Sequence, residues 1–99
     1  MTSVNILFPS AGSAIPIPNT ANGSYTGAAG MPMMSYQVNG GSLKPITTIN
    51  VTSQTWTLNL VTTEFPLVGG TYLLTVYIAD PGGSQPPGAQ TNCSFSRSS

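Results

Sequence analysis

The segment from Thr71 to Ala79 sets Tyr72, Leu74, Val76 and Ile78 at every second position, with Leu73, Thr75 and Tyr77 between them. A period of two belongs to a strand, and nine residues of it leave no helical alternative. Large side chains occupy both faces, which predicts a central strand. Asp80-Pro81-Gly82-Gly83 follows. Proline presets φ and the glycines accept positive φ, so the strand ends in a turn.

The same period recurs in shorter runs separated by Gly, Pro and Asn. Residues 54–60 direct Trp56, Leu58 and Leu60 to one face and Thr55, Thr57 and Asn59 to the other, making Trp56 the candidate centre of a core. Ser35 to Val38, then Asn39-Gly40-Gly41, then Ser42 to Ile46 reads as a hairpin, because Asn-Gly tolerates the positive φ of a tight primed turn. Tyr36 and Val38 are expected to face the core. Val4, Ile6 and Phe8 alternate ahead of Pro9, and the prolines within residues 14–18 cannot donate to a sheet ladder. The N-terminal strand is therefore expected to split in two, its second piece lying on an edge. Residues 24–29 read as a weaker strand, Thr91, Cys93 and Phe95 share a face of the last one, and Glu64-Phe65-Pro66 is expected to make a single helical turn. About seven short strands with no longer helical period predict an all-β sandwich, and 99 residues make one domain, 1–99.

Charge narrows the functional classes. Only Lys44, Glu64, Asp80 and Arg97 are charged, there is no histidine, and the net charge is zero. General acid-base chemistry needs paired carboxylates or a histidine, and an activated nucleophile needs a base beside it, so the expectation is that the chain is not an enzyme. Two cations cannot neutralise a run of phosphates, which argues against nucleic acid as a partner. Ser, Thr and Asn supply 32 of the 99 residues, so the surface is polar yet neutral. No stretch approaches the roughly 18 apolar residues of a membrane span, so no membrane insertion is expected. The first residues lack the basic and apolar regions of a secretion signal, and a Met start fits either a whole small gene product or an excised module.

Individual residues carry few chemical options. Cys93 is alone, and on an alternating face it reads as a small buried hydrophobe. Asp80 and Glu64 are too few for a calcium loop, so neither a metal nor a cofactor is expected. Lys44 and Arg97 read as solvated charges or edge guards. Candidate partner contacts are the Met31, Met33 and Met34 cluster, whose polarizable side chains suit a protein surface, and Tyr25 and Tyr77. Those two tyrosines, with Phe65, are the aromatics available for stacking on a sugar among hydroxyl and amide neighbours.

Ile6-Leu7-Phe8-Pro9 with Ala11-Gly12, Tyr36 to Gly41, Trp56 to Leu60 and Gly70 to Asp80 together resemble bacterial and phage immunoglobulin-like domains of the Big and fibronectin-III-like kinds. The resemblance spans nearly the whole chain through structural motifs: a proline-terminated first strand, a glycine hairpin, a core tryptophan, and Tyr72 placed like a corner tyrosine. Scarce outer charges, Leu43 after the glycine turn and a proline-rich final loop depart from the pattern. The resemblance implies an immunoglobulin-like β-sandwich of about seven antiparallel strands that works without catalysis. Such domains serve as capsid-decoration or tail-surface proteins of a phage virion, in contact with other protein subunits. Alternatively they serve as spacers or carbohydrate-binding accessory modules, extracellular or on the bacterial cell surface, with glycans as partners.

Overall fold

A computed structural model describes residues 3–26, 32–79 and 89–99, and the alternating runs of the sequence are strands in it. They are β1 (Ser3–Phe8), β2 (Ala14–Ile15), β3 (Asn19–Thr26), β4 (Met33–Val38), β5 (Lys44–Pro45), β6 (Thr48–Asn50), β7 (Thr55–Leu60), β8 (Thr71–Ala79) and β9 (Ala89–Arg97), with no helix among the described residues. Nine segments stand where about seven were expected, because pairing cuts the N-terminal and hairpin regions into short pieces. Both β2 and β5 are two residues long.

The strands form two sheets, ordered β1-β3-β7-β6 and β2-β9-β8-β4-β5. β8 is central in the second, antiparallel to β4 on one side and β9 on the other. One apolar cluster joins the sheets: Ala21, Tyr25, Trp56 and Leu60 from the first meet Tyr36, Leu74, Val76, Ile78 and Phe95 from the second. The N-terminal segment serves both. β1 pairs with β3, and β2 then lies parallel to β9 in the other sheet. Gly12, at φ +78°, gives its N–H to the Ser94 carbonyl at 2.6 Å as the chain crosses. The strand therefore splits at its prolines, as their missing donors require.

Local chemistry accounts for the corners. Asn39 and Gly40 both hold positive φ, 53° and 72°, and Gly41 N–H donates to Val38 O at 3.0 Å, which is the primed hairpin turn. The Asn39 Oδ1 also accepts the Leu73 N–H at 2.8 Å, tying that turn to β8. Phe65 packs edge-on against Tyr72 with ring centroids 5.1 Å apart, and the Tyr72 hydroxyl accepts the Leu67 N–H at 2.7 Å. The expected helical turn falls slightly earlier, where the Glu64 and Phe65 N–H groups both donate to Val61 O at 3.1 Å.

One departure concerns β3. The strand begins at Asn19, five residues before the expected start, because pairing with β7 from Asn19↔Leu60 to Ser24↔Thr55 overrides the weak β-propensity of its Asn and Gly. Residues 27–29 of the expected strand lie outside the described residues. Trp56 is 1% exposed and sits opposite Gly23. A Cβ at Gly23 would meet the Asn5 carbonyl oxygen at 1.9 Å and the indole at 2.6 Å, so the bare backbone is what admits the ring.

Candidate interaction surface

Glu64, Tyr36, Lys44, Arg97 and Cys93 all bond within the fold. Glu64 accepts the Tyr36 hydroxyl at both carboxylate oxygens, 3.0 and 2.9 Å, and the Lys44 ammonium at 2.8 Å. Burial, then the hydrogen bond to Glu64 and its negative charge, push the Tyr36 phenol up to about 12. Lys44 stands on the edge strand β5 with its side chain half exposed, but it is paired, not merely solvated. Arg97 is not free either: its guanidinium donates to Phe65 O at 2.8 Å. The buried Cys93 thiol donates to Pro9 O at 3.1 Å, and burial raises its pKa. Asp80 lies outside the described residues, among which no group of three or more His, Cys, Asp or Glu is clustered. No helix there is long and apolar enough to cross a membrane.

The expected contact residues separate. Tyr25 is 2% exposed, since β3 turns Ala21, Gly23 and Tyr25 toward the core, and it offers no ring to a partner. Its hydroxyl has no hydrogen-bond partner among the described residues. Phe65 is likewise fully buried. Met34 is buried at 4% while its neighbour Met33 is 37% exposed, because consecutive strand residues take opposite faces. Met31 lies outside the described residues.

Met33 lines an open apolar groove of about 590 Å³ with Pro32, Leu43, Pro45, Ile46 and Ile49, where β5 and β6 form the outer strands of their sheets. Sequence reading missed this groove, since it depends on which strands become edges.

Tyr77 stands on the outer face of the five-stranded sheet and is half-buried. Its hydroxyl donates to Gln37 Oε1 at 2.7 Å, and Gln37 Nε2 donates to Gly41 O at 3.0 Å. Because Tyr77 pairs in register with Ser35, and Gln37 with Thr75, that bond lays the phenol diagonally across β8 and β4. Ser35 and Thr75 are buried although they point away from the core. Across β9 the same face presents Gln90 opposite Tyr77 and Asn92 opposite Thr75, both exposed. No charged side chain stands on these rows.

None of the family models and none of the curated proteins matches the chain. Among solved structures it is similar to an endo-β-1,4-mannanase from Thermotoga petrophila, with a TM-score of 0.72 and 10% identity over 98% of this chain and 20% of that one. It is also similar to an engineered protein, with a TM-score of 0.65 and 17% identity over 98% of this chain and 20% of that one. The likeness concerns the fold alone, and the chain spans a fifth of the length of each.

Proposed function

We propose that the chain is a non-catalytic, immunoglobulin-like module that works by surface contact within a larger assembly, a phage virion being the setting. The type of fold is supported by the strand order, since a four-stranded sheet facing a sheet built on β9-β8-β4 corresponds to the arrangement of immunoglobulin domains. The Tyr72 hydroxyl bonded to the backbone five residues upstream agrees with it.

The observation that carries the functional reading is the use made of the ionisable groups. Among the described residues Glu64, Lys44, Tyr36 and Arg97 bond to one another or to the backbone, which leaves the apolar Met33 groove, where Lys44 on the wall is already paired with Glu64, to meet partners. Zero net charge also removes the self-repulsion that would oppose packing of many copies. The partners are then protein subunits, and contact depends little on salt.

A second reading is favoured by two solved structures of similar fold, each about five times as long as this chain. In it the chain is a spacer or carbohydrate-binding accessory module of a long secreted or cell-surface protein, with glycans as partners. Fractionating the source culture and probing for peptides of this chain separates the two. Peptides sedimenting with large particles support the virion setting. Peptides confined to a longer secreted polypeptide overturn it in favour of the module.

A further inference from the structure

We infer that the outer face of the five-stranded sheet, centred on Tyr77, binds a neutral saccharide. The inference rests on the reading of the chain as a non-catalytic contact module and names the surface and the ligand class.

The first argument is the ring. A sugar presents an apolar face of C–H bonds, and an aromatic ring receives it only where the ring is exposed and held flat against the protein. Tyr77 offers a partly exposed ring whose tip is fixed. It is half-buried on the solvent side, and its hydroxyl is anchored to the Gln37 amide at 2.7 Å. That amide is in turn held by Gly41 O, so both ends of Gln37 are committed and the ring's tilt is set before any ligand arrives. Ser35 and Thr75, on the same outward side, are buried.

The second argument is the polar surround. Gln90 and Asn92 are exposed on the strand next to Tyr77, one directly opposite the ring and one a row further along. An amide carries donors and an acceptor together, which suits hydroxyls that act in both senses. Charge decides the class. Lys44, Glu64 and Arg97 are all engaged elsewhere, so among the described residues this face has neither a cation for an acidic sugar or phosphate nor an anion for an amine. A neutral glycan fits.

The test is a titration of the intact chain, labelled for 1H–15N spectra, with cellohexaose and mannohexaose. The expected result is saturable shifts confined to outer-face residues of β4, β8 and β9, with no reducing ends released. Tyr77→Ala is expected to weaken binding about tenfold, the loss of one stacked ring. Gln90→Ala, at an exposed position that the fold does not need, is expected to weaken it about threefold, in line with one hydrogen bond. Shifts centred on the Met33 groove, or no shift from either sugar with the spectrum of a folded protein, overturn the proposal and leave the contact-module reading standing. Release of reducing ends overturns both.

Discussion

The inner side of the four-stranded sheet around Trp56 and the outer face of the five-stranded sheet around Tyr77 each seat one aromatic ring, by opposite means. Trp56 is held by shape: the indole fills the space above Gly23, and a Cβ there would strike both the ring and the Asn5 carbonyl. Its Nε1 has no hydrogen-bond partner among the described residues. Tyr77 is held by direction, through one bond from its hydroxyl to Gln37. Shape holds a ring where close packing surrounds it and cannot relax, whereas a single bond holds a ring that remains open to a ligand. The first arrangement builds stability and the second builds a surface.

That contrast predicts a graded series. Trp56→Ala should cost about 3–5 kcal/mol in denaturant unfolding, a large share of what a domain of this size possesses. Gly23→Ala should cost about 3 kcal/mol or more, since a backbone oxygen cannot move aside as a side-chain end can. The double variant should lose at least about 0.5 kcal/mol less than the sum, because removing the indole relieves part of the clash. Strict additivity would mean that the two positions do not share the space.

Tyr72 and Tyr36 combine a buried ring with a bonded hydroxyl and should fall between the extremes. Tyr72→Phe should cost about 1–2 kcal/mol, since the Leu67 N–H loses its acceptor in a partly buried corner. For Tyr36, pH supplies the discriminating measurement. The folded phenol, at about 12, lies above its ordinary 10.0, so the fold retains a proton that the unfolded chain releases. Its contribution is complete below pH 10 and declines as pH rises toward 12. The stability difference between wild type and Tyr36→Phe should therefore shrink between pH 10 and 12; a difference that stays constant would mean that the hydroxyl does not face Glu64. Tyr77→Phe should change stability least, by less than about 1 kcal/mol, because Tyr77 and Gln37 both keep part of their surface in solvent, where the Gln37 amide can turn to water. A cost matching that of Tyr72→Phe would place Tyr77 with the core and not with the surface.

Legibility in the sequence followed how well a segment marks its own phase. Residues 71–79 and 54–60 carry apolar side chains at every second position, and Leu74, Val76, Ile78, Trp56 and Leu60 are all buried accordingly. β3 reads Asn-Thr-Ala-Asn-Gly-Ser before Tyr25, with no large apolar residue to set the phase, and so the inward turn of Tyr25 was missed. Phe65 sits on a turn, where no period applies, and its burial follows from packing against Tyr72 and Phe95. The methionine cluster read as one contact, yet the pleat sends Met33 and Met34 to opposite sides.

Composition and period by themselves determined that this is an all-β chain with a Trp56 core, a split first strand, an Asn-Gly hairpin and few groups for reaction chemistry. These are properties of neighbouring residues, and local sterics and patterning suffice for them. Only the tertiary structure decided which strands share a sheet, where the edges open into a groove, and that Gln37 and Tyr77, forty residues apart, meet at 2.7 Å on one face. The reason is that strand register is set by the whole burial pattern at once, and a one-residue slip would have turned that face inward.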